Sequence, residues 1–104
     1  MEVYFFDDAV ERFIDSHDKG IQTKIGRMLV LLERYGNQIG LPYSKKVGKD
    51  LFEIRIKGSI EVRIFYTFRR NRIVLLHGFI KKSQKIPQRE IKIAAQRLKA
   101  LDMV

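Results

Sequence analysis

Eight basic side chains lie between positions 45 and 85 of the 104-residue chain: Arg55, Arg63, Lys81 and Lys82, with Lys45, Lys46, Lys49 and Lys85 around them. Fixed cations of this kind can act on RNA without a metal. A ribose 2′-hydroxyl attacks the adjacent phosphate, and guanidinium or ammonium groups stabilise the charge that develops on the non-bridging oxygens. Arginine presents a planar fork that matches a phosphate, whereas a lysine crowded by other cations has its pKa pushed down and can exchange a proton. The same set could hold phosphates without any chemistry, because binding and transition-state stabilisation draw on the same residue types. Lys45, Lys46 and Lys49 likewise read either as a solvated loop or as the rim of a phosphate-binding groove.

Other chemistries find little support. There is no cysteine, so thiol nucleophiles, thiolate metal sites and disulfides are excluded. The two histidines, His17 and His77, are sixty residues apart with no carboxylates clustered near either in sequence, so neither a metal site nor a Ser-His-Asp arrangement is expected. His77 sits inside the apolar run IVLLHGFI and reads as a hydrogen-bonded core histidine rather than a catalytic one, and His17 as a helix-end residue suited to the dipole. The glycines are scattered, without a P-loop or dinucleotide fingerprint, and no cofactor is expected.

The elements that must position the cations lie between Leu51 and Pro87. Phe52, Ile54 and Ile56 alternate with Glu53, Arg55 and Lys57, and Val62, Ile64, Tyr66 and Phe68 alternate with Glu61, Arg63, Phe65 and Thr67. A period of two marks each run as a strand with one apolar and one charged face. For the apolar faces to coincide, paired residue numbers must have an even sum, so the loop at Gly58 holds an odd number of residues or a bulge, and Arg55 and Arg63 share a face. The third run, Ile73 to Ile80, is apolar on both sides, which suits a central strand, and ends in Lys81 and Lys82. The three form an antiparallel meander whose charged face is expected to stay polar.

Glu2 to Phe6 reads as a further strand, and Asp7 or Asp8 as the cap of a first helix carrying Val10, Phe13, Ile14 and His17. A second helix presents Ile21, Ile25, Met28, Leu29, Leu32 and Tyr35 before Gly36 and Asn37 stop it. The hairpin of these helices covers the apolar sheet face. Gly40 to Asp50, rich in glycine and lysine, reads as a loop. After Pro87 a last helix carries Ile91, Ala94, Ala95, Leu98 and Leu101, lying against the sheet or a partner. The expectation is one α+β domain over residues 1–104, in the order β-α-α-β-β-β-α, with an antiparallel sheet of meander plus N-terminal strand.

Charge is segregated. The formal net charge is +9, but residues 1–42 carry −2 and residues 43–104 carry +11. Such asymmetry favours a polyanionic partner, and nucleic acid ahead of a membrane surface, because no basic amphipathic helix with a large apolar face is evident. The longest apolar run is the short MLVLL from Met28, and the acidic N-terminus is unlike a signal peptide; a cytoplasmic protein is expected.

In LFEIRIKGSIEVRIFY, then IVLLHGFIKKSQKIP, then a helix beginning PQREIKIAAQR, the chain resembles the RelE/ParE superfamily of bacterial toxins, particularly its HigB-like, phage-derived branch. The likeness covers nearly the whole chain. It implies a ribosome-dependent mRNA endonuclease, metal-independent, neutralised by a separately encoded antitoxin, often a helix-turn-helix protein of HigA-like type. Arg63 takes the place of the phosphate-binding arginine in the middle strand of the meander; Arg55 and Lys81 or Lys82 take basic positions on the flanking strands. The chain departs from some relatives: Glu53 stands where the RelE branch is basic, and no histidine or tyrosine follows Lys81-Lys82 near the C-terminus. A non-catalytic binding module of the same fold and a gyrase-directed ParE-type inhibitor are the competing readings.

Overall fold

The computed structural model describes residues 1–103 and has the expected α+β architecture. Strand β1 (Glu2–Phe5) leads into helices α1 (Asp8–Asp15) and α2 (Lys19–Tyr35), then a single 3-10 turn at Gly36–Gln38. Strands β2 (Ser44–Gly48), β3 (Leu51–Lys57), β4 (Glu61–Arg69) and β5 (Arg72–Ile80) follow, and helix α3 (Gln88–Leu101) ends the fold. Asp7 and Asp18 cap α1 and α2 by accepting from the amides of Val10 and Ile21 at 3.2 and 2.9 Å.

The sheet runs β1-β5-β4-β3-β2. It has five strands and is mixed, where four antiparallel strands were expected. Two features make the difference. The path from β1 through α1 and α2 returns the chain so that β1 lies parallel to β5. In addition, Ser44–Gly48, expected as loop, is an edge strand on β3. It is tied down by Ser44 Oγ, 2.5 Å from the Tyr66 hydroxyl, and its register sets Lys45 opposite Glu53. Exposed lysines and a bulge near Gly48 are what an edge strand requires, and they are also what made this stretch read as loop.

The meander has the expected pairing parity. Arg55 pairs with Arg63 and Lys57 with Glu61, leaving the three-residue loop Gly58–Ile60. At the other end Arg70 and Asn71, with φ of 51° and 61°, form the two-residue turn between β4 and β5, the left-handed pair that suits strand twist.

Both faces of the sheet are covered. On the inner face α1 and α2 bury Val10, Ile21, Ile25 and Leu32 against Ile54, Ile56, Val62, Ile64, Tyr66, Ile73 and Leu75. Contact is close: a Cβ on Gly78 would lie 2.5 Å from the Phe13 ring, so α1 crosses β5 where only glycine fits. The outer face departs from the expectation of a polar surface. There α3 covers a second core of Leu51, Phe65, Val74, Leu76, Phe79 and Ala94. A bulge in β5 assists, because Phe65 pairs with His77 and Tyr66 with Leu75, leaving Leu76 as an extra residue on the outer side. Among the described residues no helix is long and apolar enough to cross a membrane.

Candidate functional site

Cross-strand pairing on the outer face lays the charged residues out in rows. Lys45, Glu53, Phe65 and His77 form one row across β2, β3, β4 and β5; Arg55, Arg63 and Phe79 form the next; Lys57 and Glu61 form the third. Glu53 organises the centre. Its Oε1 accepts from Arg55 Nε at 3.1 Å and from Arg63 at 3.0 Å, so one carboxylate holds two guanidiniums side by side. Arg63 also donates to Glu61 Oε1 at 2.6 Å.

Arg63 is therefore not on a solvated face, as strand alternation alone implied. It is 5 % exposed, and Glu53 is fully buried. The reason is α3: outer-face side chains at mid-strand lie next to the second core, so charges there must be paired. The pairing is incomplete, since Arg63 Nε and Glu53 Oε2 are both buried without a hydrogen-bond partner. Glu61 is the accessible member, and its bond to Arg63, aided by Lys81 and Lys57, holds its carboxyl below the usual glutamate range.

That shift fixes a pH dependence. A carboxyl whose pKa is lower folded than unfolded contributes stability above the unfolded value, and the contribution is lost as pH falls through the folded one. Urea denaturation of wild type should thus show a loss of stability below about pH 4 that is smaller in Glu61→Gln. Equal acid sensitivity of the two proteins would mean that the Arg63–Glu61 pair adds nothing.

The remaining cations are distributed unequally. Lys81 joins the centre, its amide donating to Glu61 O at 2.8 Å. Lys82 lines a separate cleft with His77, Phe79, Arg89 and Glu90. Lys45 shares the outer face with Glu53, whereas Lys46, opposite Phe52, belongs to the inner face. Lys49 sits in the β2–β3 turn and Lys85 in the exposed segment before α3. Arg55 and Arg63 are thus brought together, Lys81 adjoins them, and Lys46, Lys49 and Lys85 stand apart.

Sequence reasoning missed two groups. His77 is hydrogen-bonded, as expected for a core histidine, but its partner is Glu90 of α3 at 2.8 Å and the pair lines the Lys82 cleft. The only signal was Glu90 at the start of an otherwise apolar helix stripe. The second group is a cleft of about 450 Å³ beside α2, lined by Lys24, Arg27, Met28, Pro42, Tyr43, Arg55, Ile56 and Lys57. Lys24 and Arg27 went unmarked because they lie in the half of the chain with net negative charge.

A chain in the YoeB-YefM complex from Staphylococcus aureus is similar in structure, with a TM-score of 0.58 over 80 % of this chain and 97 % of that one. At 22 % sequence identity, the likeness is one of fold. No curated protein matches the sequence. Residues 12–99 match the family described as phage derived protein Gp49-like. With all of the described secondary structure except β1, the start of α1 and the end of α3 inside that match, the chain belongs to the Gp49-like family of phage-derived proteins.

Proposed function

We propose that the protein is the toxin of a toxin–antitoxin pair, HigB-like within the RelE/ParE superfamily, and that it cleaves mRNA on the ribosome by 2′-hydroxyl attack without a metal. The observation that carries this reading is the Arg55–Glu53–Arg63 centre, in which two guanidiniums are fixed at mid-sheet by one buried carboxylate. Rigid strands hold such donors where charge develops on a phosphate, and little reorganisation is needed at the moment of reaction.

Glu61 then acts as an internal stand-in for the substrate. Its carboxylate occupies one edge of the Arg63 fork, and because it is accessible at the start of β4 it can yield that edge to a phosphate, which Glu53 cannot. Lys81 lies where it can add a second charge. His77, oriented by Glu90, and Lys82 are the groups assigned to proton transfer in the adjoining cleft. Lys45, Lys46, Lys49 and Lys85 are assigned to the RNA backbone.

The partner is an antitoxin, of HigA-like helix-turn-helix type, covering the basic face with an acidic or apolar segment. The structural neighbour, a chain from a two-protein complex, supports a protein partner. The test is induced expression without an antitoxin, with the ends of translated mRNAs mapped. Growth arrest with codon-linked cuts is the expected result. DNA damage without cuts would move the protein to the gyrase-directed class, and unarrested growth with intact mRNA would leave a binding module.

A further inference from the structure

We propose that the cleft between α2 and the open edge of β3 is a subsite for one nucleotide of single-stranded RNA, its phosphate held by Lys24, Arg27 and Lys57 and its base laid on Tyr43. The inference rests on the nuclease reading for its substrate class and adds a site to it.

The cleft exists because β2 stops short. The last link on that side is Arg55 N to Tyr43 O at 2.8 Å, and beyond it Lys57 O accepts from Lys24 Nζ at 2.8 Å in place of a neighbouring strand. Lys24 and Arg27, three residues apart, project from one face of α2 across from Lys57. Among the described residues none of Lys24, Arg27 and Lys57 forms an ion pair, in contrast to Arg55 and Arg63, and no carboxylate lines the cleft. Lys57 feels the charge of Glu61, its cross-strand partner, but Lys24 and Arg27 face the cavity uncompensated, and such cations define a site for an anion.

The walls narrow the ligand further. Tyr43 is 52 % exposed, and Met28, Ile56 and Pro42 supply apolar surface. A volume of about 450 Å³ is within the usual range for small-ligand sites, and an exposed ring beside a cationic groove is the common arrangement for unstacked bases. Arg55 joins this subsite to the centre: its Nε is held by Glu53 while its side chain lines the cleft. A nucleotide bound here lies one strand from Arg63, flanking the phosphate under attack.

The test uses a short 2′-O-methyl oligoribonucleotide, which cannot be cut through its 2′-oxygen, and fluorescence anisotropy across a salt series. The proteins are wild type, Lys24→Glu, Arg27→Glu, Tyr43→Ala and, outside the cleft on the same helix, Arg34→Glu, each checked for fold by circular dichroism. Each reversal in the cleft should weaken binding about tenfold and reduce the salt slope by about 0.7 or more. Tyr43→Ala should weaken it about fivefold or more, whereas Arg34→Glu should stay within about twofold of wild type. Wild-type affinity in the cleft variants overturns the subsite, as does failure of wild type to bind. Displacement by a poly-glutamate peptide of equal length, with Tyr43→Ala unaltered, also overturns it and makes the cleft a site for an acidic protein segment. The two proposals fail separately: cleft-dependent binding with mRNA left intact in cells sinks the nuclease reading alone, and codon-linked cuts with unaltered cleft variants sink the subsite alone.

Discussion

Arg63→Ala is expected to abolish mRNA cleavage and to destabilise the fold in the same step. Losing a preorganised, charge-assisted donor to a developing oxyanion typically costs about 3 kcal/mol, or about a hundredfold in rate. The second effect follows from burial. With Arg63 gone, fully buried Glu53 keeps only Arg55, and leaving a buried charge short of its partner costs about 3–5 kcal/mol. A plain alanine variant therefore confounds chemistry with folding. Arg63→Ala combined with Glu53→Gln removes the stranded charge and should recover part of the stability but none of the activity, while Arg63→Lys keeps a cation on Glu53 and loses the fork. The rates are to be read on translating ribosomes with enzyme saturating, and the stabilities by urea denaturation. Wild-type cutting by either of these two variants would show that Arg63 is not the group that stabilises the transition state. Lys46→Ala, on the inner face of the edge strand, should instead weaken binding in a salt-dependent way and leave the saturated rate nearly unchanged.

The sequence showed the meander clearly because period-two alternation and turn chemistry are local. Phe52, Ile54 and Ile56 against Val62, Ile64 and Tyr66 dictated the loop parity and hence the shared face of Arg55 and Arg63, and the three-residue loop then makes the two arginines direct partners. What lay on the other face was not local. Phe65 and Thr67 alternate with the inner core residues exactly as Arg63 does, and nothing in the strand itself says that α3 returns to cover them. Leu51, Val74, Leu76 and Phe79 carried the signal, together with the apolar stripe on α3, but only jointly. Once that face is dry, Glu53 and Glu61 become necessary partners of Arg63 rather than stray acids on a basic strand. The Lys24–Arg27 cleft was hidden for a related reason: it joins α2 to β3, two elements far apart in sequence.

Phe65→Ala tests the second core directly. Phe65 is fully buried on the outer face, stacked on Phe79 with ring centroids 5.6 Å apart, in the cluster completed by Leu51, Leu76 and Ala94. Truncating a buried phenylalanine typically costs about 3–5 kcal/mol, a large share of the roughly 5–15 kcal/mol that holds a domain together. A polar outer face would make the same change nearly neutral, so the two pictures differ by several kcal/mol. The melting temperature should fall by on the order of 12 °C or more. Amide exchange should locate the loss: α3, held to the sheet through this cluster, the His77–Glu90 bond, the Arg97 bond to Leu76 O and the Arg69–Asp102 pair, should lose protection before α2, whose residues pack on the inner face. A loss below about 1 kcal/mol, with α3 as protected as before, would mean that α3 is anchored elsewhere and that Arg63 and Glu53 are not kept dry by it.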